Sequence, residues 1–308
     1  MPAFKPTEIK GVIPALVTPF DENENFDEAK TRNLVQFLLS QNVSGFYLTG
    51  STGEGFLMNS EERKKVVEVV VDEVKQRVPI IVHIGAIGTK ESIELAKHAE
   101  SLDVDAISSV PPFYWRFNED HIYDYYKDIA DCVSTPMIIY NVPLVGLLGF
   151  DFIKRLSTIN NVVGVKYTAY THQDIYKCKD LISKDFMVYS GADEMAVSGI
   201  LNEADGIIGS FYTMLPDLFV NLYNHMKNNE IEKAQQLQKI AVSIIDASLK
   251  YDYYAVIKEA TRWMNADAGY VRRPFKNLTT QEIEQVKEEF KTIKEKYNNP
   301  DVLVLKSL

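Results

Sequence analysis

A single lysine interrupts the apolar run "VVGVKYTAY" at positions 162–170. Val162, Val163 and Val165 are typical of a buried strand, and Lys166 stands where that strand is expected to end. Lysine is rarely buried completely without a partner. Burial disfavours an ammonium ion, and a neutral amine can attack a carbonyl group. Lys166 is therefore a candidate nucleophile, and the alternative is a lysine that extends outward from an exposed edge strand.

Tyr140 ends another apolar run, "MIIYNVP". A buried phenol needs a partner for its hydroxyl group. It could transfer a proton, although an ordinary phenol pKa near 10 requires tuning or a relay. It could equally be a core tyrosine with a satisfied hydroxyl group, and the residue type leaves both alternatives open.

The stretch "GSTGEG" at positions 50–55 could bind an anion. Its glycines allow the backbone to approach a ligand, while Ser51 and Thr52 add hydroxyl and amide donors. The stretch is not a P-loop, because no Gly-Lys-Ser/Thr follows. The alternative is a glycine-rich turn between a strand and a helix.

An acidic pair, Asp193 and Glu194, follows a further apolar run. The two carboxyl groups could act as acid and base, accept hydrogen bonds from substrate hydroxyl groups, or cap the next helix. With a lysine nucleophile available, we favour hydroxyl recognition. None of the five histidines forms an H-E-x-x-H motif, so no catalytic metal is predicted. The aromatic residues Phe113, Tyr114 and Trp115 suit a pocket wall or an interface equally well.

Eight short apolar runs can position these residues. Most are continuously apolar, which is typical of parallel strands covered on both faces. They begin at Val12, Gly45, Pro79, Ala106, Met137, Val162, Phe186 and Gly206.

Helical patterns lie between the runs. Asn59 and Glu62 form a possible capping box for the helix that follows, and Thr89 is the expected N-cap of the next. Eight strand–helix units predict an α/β fold, a closed (β/α)8 TIM barrel with its chemistry at the carboxyl ends of the strands. A doubly wound open sheet is the alternative, but no switch point is apparent. Because a closed barrel has no edge strand, this fold favours the nucleophile interpretation of Lys166.

The last third of the chain has helical periodicity. We predict a single domain over 1–308, with a barrel at 8–225 and a C-terminal helical extension at 226–308. No Gly-, Ser- or Pro-rich linker separates them.

Composition excludes several classes of function. The net charge of −10 argues against nucleic acid as a partner. Cys132 and Cys178 have no metal-binding or disulfide-framework spacing. The N-terminal residues contain no apolar signal segment, and no apolar run approaches the roughly 20 residues of a membrane span. We expect a cytoplasmic protein that acts on a small molecule without contacting a membrane.

Together these motifs resemble the pyruvate-dependent class I aldolases, the family of N-acetylneuraminate lyase and dihydrodipicolinate synthase. The resemblance extends from about Lys10 to about Phe275. Five motifs in order at predicted strand ends carry it: "GSTGE", "YNVP", "GVKYT", "GADE" and "GIIGS".

The resemblance implies roles for individual residues. Lys166 would form a Schiff base with pyruvate, Tyr140 would transfer protons, and Ser51 and Thr52 would bind the keto-acid carboxylate. Tyr114 would join a hydrogen-bond relay in a neighbouring subunit, with Trp115 as the alternative. No cofactor would be needed, and the family forms tetramers, commonly as pairs of dimers.

The details resemble the sialic acid lyase branch. Sugar-contacting positions of that branch correspond to Thr168, Gly191, Asp193, Glu194 and Ser210. The arginine that dihydrodipicolinate synthases usually carry after "YN[VI]P" is missing, because Leu144, Val145 and Gly146 occupy that place. The implied reaction is reversible cleavage of N-acetylneuraminate to pyruvate and N-acetylmannosamine.

One loop departs from the lyase pattern. The segment "LVGLLGF" places its first glycine one residue early and lacks a small hydroxyl residue. The departure leaves room for a 2-keto-3-deoxy sugar acid without the N-acetyl group as substrate. Dihydrodipicolinate synthase activity is the weaker alternative.

Overall fold

Eight parallel strands form the centre of the molecule, whose computed structural model describes residues 2–308. Each predicted apolar run matches one strand, although the first strand begins at Gly11, one residue before its run. The strands are β1 (Gly11–Pro14), β2 (Phe46–Leu48), β3 (Ile80–His83), β4 (Ala106–Ser109), β5 (Met137–Asn141), β6 (Val162–Tyr167), β7 (Met187–Ser190) and β8 (Gly206–Gly209). Their order in the sheet is β1-β8-β7-β6-β5-β4-β3-β2.

The sheet closes on itself. β1 pairs with β8 along its length, and a parallel bridge joins Ala15 to Tyr47 next to the ends of β1 and β2. The Leu16 N–H donates to the Tyr47 carbonyl at 2.9 Å across the same seam. The predicted (β/α)8 barrel is therefore confirmed, and the open doubly wound sheet is excluded.

Alternation along the strands divides the core into two layers. Val165 of β6 packs in the layer between strands and helices. Tyr140 of β5 and Tyr189 of β7 pack in the barrel interior. Both are register partners of Lys166. Because successive side chains of a strand point to opposite faces, Lys166 points into the barrel.

Helices connect the strands on the outside. Asn59 and Glu62 form the predicted capping box at the start of the second helix. The N-cap of the third helix is Gly88 rather than Thr89, because the extended Gly88 supplies the carbonyl that accepts the Ser92 N–H and Thr89 is already helical. These helices are α1 (Glu28–Ser40), α2 (Ser60–Val74), α3 (Thr89–Ser101), α4 (Glu119–Ala130), α5 (Phe150–Leu156), α6 (Gln173–Leu181), α7 (Ala196–Leu201) and α8 (Pro216–Lys227).

Four more helices follow the barrel, in agreement with the predicted helical extension. The first of them packs against α7 and α8. They are α9 (Ile231–Ser248), α10 (Tyr253–Trp263), α11 (Thr280–Lys296) and α12 (Leu303–Lys306). Within residues 2–308, no helix is both long enough and apolar enough to cross a membrane.

Candidate functional site

Lys166 lies inside the barrel near the carboxyl end of β6, and its side chain is almost completely buried, at 4% exposure. Its Nζ lies 4.1 Å from the ring centroid of Tyr140 and 4.3 Å from that of Tyr47. Among residues 2–308, no acceptor forms a hydrogen bond or salt bridge with this nitrogen. A buried amine without an acceptor is uncommon. Because no described protein acceptor engages this nitrogen, it is available to a ligand.

Tyr140 forms the second part of the site. It is buried beside Lys166, and its hydroxyl has no hydrogen-bond partner in the described part of the chain. Its ring meets the rings of Tyr47 and His83 edge to face, with centroids 5.8 and 6.0 Å apart. Tyr189, on the other side of Lys166, donates its hydroxyl proton to the Ile9 carbonyl at 3.0 Å. Tyr140 is thus the neighbour whose hydroxyl remains available.

Tyr47 and His83 complete the floor of the site, and neither was assigned a role from the sequence. The Tyr47 hydroxyl donates to Ser108 Oγ at 3.1 Å, and burial raises its pKa well above 10. His83 Nε2 accepts the Val110 N–H at 3.3 Å. Burial, together with the nearby cations Arg63 and Lys166, lowers the His83 pKa well below its usual range. A neutral histidine and a neutral phenol therefore surround the amine.

The loop after β2 carries Ser51 and Thr52 to the same end of the barrel. The Glu54 N–H donates to the Ser51 carbonyl at 3.0 Å, which folds the loop back on itself. Thr52 is buried, and its hydroxyl lies 2.6 Å from the hydroxyl of Ser210, which follows β8. Two hydroxyl residues predicted from separate motifs therefore meet across the barrel.

Asp193 is buried after β7 and has no salt bridge within the described residues. Its Oδ2 accepts the Phe211 N–H at 2.9 Å, and its side chain does not cap α7, the α-helix that follows it. The carboxyl group lies against Gly209, where a Cβ would overlap its oxygens. Burial raises the pKa of Asp193 to about 7, with the adjacent Glu194 acting in the same direction and hydrogen bonding opposing it. Asp193 can therefore donate or accept a hydrogen bond near neutral pH.

Thr168 and Gly191 face each other between β6 and β7. The Thr168 hydroxyl is buried and has no partner within the described residues. A Cβ at position 191 would overlap this hydroxyl and would approach Lys166 Cε to 3.3 Å. Gly191 therefore leaves space next to both polar groups.

A cavity of about 240 Å³ opens above these residues. It brings together five of the predicted binding residues: Thr168, Gly191, Asp193, Glu194 and Ser210. Tyr253 from α10 also lines it and stacks on Phe211, with ring centroids 5.8 Å apart. Sequence analysis missed Tyr253, although the aromatic cluster "YDYY" at the start of α10 was a possible signal.

A second cavity of about 430 Å³ lies on the other side of Tyr253. Most of its lining is apolar, and Ser51 is its one predicted site residue. Phe113 lines this cavity, so one of the three aromatic residues after β4 is a pocket wall.

Tyr114 and Trp115 lie outside both cavities. They are 82% and 62% exposed, and Tyr114 has a φ of +82°, which is strained for a bulky residue. The structure therefore does not bring Tyr114 to the Lys166 of its own chain. Within residues 2–308, no group of three or more His, Cys, Asp or Glu side chains is arranged to hold a metal ion.

Known proteins are similar to this chain in sequence. Residues 8–293 match the model of the dihydrodipicolinate synthetase family. N-acetylneuraminate lyase of Escherichia coli strain SMS-3-5 is 36% identical over 275 residues, which are 87% of this chain and 92% of that protein.

Solved structures agree with this assignment. Ruminococcus gnavus sialic acid aldolase superposes with a TM-score of 0.89 at 32% identity, over 94% of this chain and 99% of that one. CdNal from Clostridium difficile, in complex with mannosamine, has a TM-score of 0.88 at 31% identity, with the same coverage of 94% and 99%. A family match over most of the chain, together with a relative this similar, is sufficient for assignment: the chain belongs to the dihydrodipicolinate synthetase family.

Proposed function

We propose that this protein is a Schiff-base lyase that cleaves N-acetylneuraminate reversibly to pyruvate and N-acetylmannosamine. The main support is Lys166, a buried amine without an acceptor beside the partner-free hydroxyl of Tyr140. The names of the relatives support the choice of sugar. A structure of the R. gnavus aldolase carries a mutation of its catalytic lysine, so that enzyme also depends on a lysine.

The proposed reaction begins at C2 of the open-chain sugar. The Lys166 nitrogen attacks the C2 ketone, and loss of water leaves a protonated imine. The proton of the C4 hydroxyl leaves through the Tyr140 oxygen, the C3–C4 bond breaks, and its electrons enter the imine to give an enamine. The new aldehyde departs as N-acetylmannosamine. The proton taken from the C4 hydroxyl then adds to C3 of the enamine, and water hydrolyses the resulting imine to release pyruvate, so no external oxidant or reductant is needed.

The remaining predicted residues hold the substrate. Ser51 and Thr52 bind the carboxylate and thereby align C2 with the amine. Thr168, Gly191, Asp193, Glu194 and Ser210 surround the cavity of about 240 Å³ and contact the sugar hydroxyl groups. The buried, partner-free Thr168 hydroxyl supports this assignment, because a buried polar group normally has a partner.

The departing loop supports a second candidate, cleavage of a 2-keto-3-deoxy sugar acid without the N-acetyl group. Gly146 has a φ of +93° and no side chain to offer a sugar. Dihydrodipicolinate synthase activity has less support, because Arg155 lies on α5 and is bonded to Asp120 at 2.6 Å. A carboxylate anchor is thus missing where aspartate semialdehyde would bind.

We also propose that the protein is a homotetramer in which Tyr114 completes a neighbouring site. The exposed, strained Tyr114 and the 73% exposed Leu144 support an interface. Light scattering after size-exclusion chromatography tests the oligomeric state. The cytoplasmic location stays a prediction from the sequence.

The deciding experiment is pyruvate release from N-acetylneuraminate by the purified protein, with Lys166→Ala as the blank. Release that disappears in the variant supports the proposal. The same assay is run with a 2-keto-3-deoxy sugar acid that lacks the N-acetyl group. Pyruvate release from that substrate but not from N-acetylneuraminate favours the second candidate. Equal release by Lys166→Ala and the wild-type protein contradicts the Schiff-base chemistry.

A further inference from the structure

A second buried lysine lies beneath the loop that carries Ser51 and Thr52. Lys258 of α10 is 1% exposed, and its Nζ forms a salt bridge of 2.6 Å with Glu54. The same nitrogen donates to the carbonyls of Thr18 at 2.7 Å and Tyr270 at 2.6 Å. All three ammonium protons therefore have an acceptor. Neither Lys258 nor Glu54 has a part in the proposed chemistry.

The first connection to the loop passes through Glu54. One carboxylate oxygen accepts the Lys258 ammonium, and the other accepts the Arg272 N–H at 2.7 Å. The backbone N–H of Glu54 donates to the Ser51 carbonyl at 3.0 Å. Glu54, held by two residues that follow the barrel in the chain, is therefore bonded directly to Ser51, which is proposed to bind the substrate carboxylate.

The second connection passes through Thr18, which follows β1. Lys258 Nζ donates to the Thr18 carbonyl, and the Thr18 hydroxyl donates to the Gly53 carbonyl at 2.7 Å. Lys258 thus reaches both sides of the loop, through Glu54 on one side and Thr18 on the other.

The loop itself needs this support. Thr49 and Glu54 both have a φ of +54°, in the left-handed region that residues with a side chain rarely adopt. Such conformations are unfavourable for residues with a side chain and persist when the surroundings fix them. Two of them bracket Ser51 and Thr52, so without the contacts of Glu54 the loop would favour other backbone conformations.

We propose that Lys258 and Glu54 are positioning residues that hold Ser51 and Thr52 in place for the carboxylate of the keto acid. On this view α10 is part of the substrate site rather than a peripheral extension. The proposal rests on the proposed Schiff-base function, because it specifies how that site captures its keto acid.

The chain offers a matched control at the opposite end of the barrel. Lys179 is buried and bonds to Asp205 at 2.8 Å and to the carbonyls of Lys184 and Phe186. Asp205 also accepts a backbone N–H, from Val188 at 2.9 Å. Each lysine donates to one carboxylate and two backbone carbonyls, and Asp205 has Lys10 as a second cation at 3.8 Å. Asp205 precedes β8 and is remote from the Ser51 loop.

The test compares Glu54→Gln with Asp205→Asn. Imine formation with pyruvate is trapped with borohydride over a range of pyruvate concentrations and quantified by the mass of the modified protein. We expect Glu54→Gln to raise the half-saturating pyruvate concentration by about 10- to 100-fold, because small displacements of binding groups have effects of this size. Asp205→Asn should change it by less than about 2-fold, as expected for a distant site. The maximum extent of trapping on Lys166 should stay unchanged in both variants.

Acetone separates positioning from general damage. It is a methyl ketone that can form the imine but has no carboxylate for Ser51 and Thr52. Trapping of acetone should be equal in Glu54→Gln and the wild-type protein. Equal losses for acetone and pyruvate, or an unchanged half-saturating pyruvate concentration, would overturn the proposal.

A milder variant covers the case in which Glu54→Gln does not fold. Thr18→Val removes the hydroxyl bond to Gly53 and preserves the side-chain volume. It should raise the half-saturating pyruvate concentration by about 5-fold, the size expected for one hydrogen bond of about 1 kcal/mol. No change in a folded Thr18→Val protein would also overturn the proposal.

Failure of the proposed function gives a different result. A wild-type protein that traps pyruvate but does not cleave N-acetylneuraminate contradicts the choice of sugar and leaves the Glu54 comparison intact. A wild-type protein that traps no pyruvate contradicts the Schiff base itself, and the positioning proposal is then wrong with it.

Discussion

Lys166 and Lys258 are buried at the same end of the barrel in opposite surroundings. The ammonium group of Lys258 donates to three oxygens. The nitrogen of Lys166 has aromatic rings as its near neighbours and, within residues 2–308, no oxygen acceptor. Burial alone therefore does not identify a reactive lysine. The absence of a partner is the feature that distinguishes the proposed nucleophile.

The same distinction separates two buried carboxyl groups. Glu54 accepts hydrogen bonds from Lys258 and from a backbone N–H, whereas Asp193 has a backbone donor but no salt bridge in the described chain. Burial raises the pKa of both groups and lowers that of Lys258 to about 8. The ion-paired groups support the loop, and the groups without an ion pair line the space where a substrate would bind.

The contrast between Lys166 and Lys258 is tested most directly by replacing Lys166. Lys166→Met should lower turnover by about 10⁵-fold, the order of loss seen when a nucleophile is removed. It should not lower the thermal midpoint, because no hydrogen bond or salt bridge is lost. Turnover and thermal unfolding of the same preparation check both points. A rate within about 100-fold of the wild type, or a marked loss of stability, would show that Lys166 is a structural lysine.

Lys258→Met, unlike Lys166→Met, should lower the free energy of unfolding. It leaves the Glu54 carboxylate buried without its cation, which typically costs about 3–5 kcal/mol in the free energy of unfolding. Lys179→Met should lose less, because Lys10 Nζ remains 3.8 Å from the Asp205 carboxylate. Urea unfolding of the two variants measures both losses. A Lys258→Met protein as stable as Lys166→Met would remove the basis of the comparison.

Tyr140 extends the comparison to hydroxyl groups. Tyr140→Phe should slow cleavage of the sugar by about 100-fold, a common contribution of a proton-transfer group, and should slow imine formation with pyruvate much less. Single-turnover measurements of the two steps distinguish them. Equal slowing of both steps would make Tyr140 a positioning residue.

Tyr189→Phe is the matched control for Tyr140. Both tyrosines are register neighbours of Lys166, but the Tyr189 hydroxyl already donates to Ile9. Loss of this hydrogen bond should lower the free energy of unfolding by about 1 kcal/mol. It should leave the ratio of the rates of sugar cleavage and imine formation unchanged.

Local sequence patterns were sufficient for the barrel and for most of the candidate site. The eight apolar runs are continuous and rich in β-branched residues, so each one specified its strand without information from the rest of the chain. Five predicted binding residues follow β6, β7 and β8, and because these strands are neighbours in the sheet the residues meet at one cavity. The error at Thr89 was one residue, because the extended glycine before it could cap the helix equally well.

Long-range partners could not be predicted in the same way. Glu54 and Lys258 are 204 positions apart, and no spacing or periodicity connects them. Tyr253 belongs to a helix whose pattern indicates only an amphipathic segment, and its place beside the cavity depends on how α10 packs on the barrel. Sequence reasoning found the groups attached to strand ends and missed those supplied from elsewhere.

The smallest expected effect concerns Asp193. Its pKa rises from 3.8 to about 7 in the folded protein, so between these values the folded state holds a proton that the unfolded state has released. The contribution of Asp193 to stability is therefore complete below about pH 4 and is lost as the pH rises through 7. Asp193→Asn lacks this titration. Relative to this variant, the wild-type protein should lose stability from pH 5 to 7 and change little from pH 7.5 to 8.5.

Urea unfolding of both proteins across this pH range measures the difference. Glu194→Gln is a useful control, since Glu194 lies at the cavity and is only partly buried. It should keep the pH-dependent loss, somewhat reduced, because the Glu194 charge contributes less than burial to the raised pKa of Asp193. Parallel stability curves for the wild type and Asp193→Asn would mean that Asp193 is ionised throughout. A buried carboxyl group without a salt bridge would then titrate as an ordinary carboxyl group, and the lack of an ion pair would no longer mark the site.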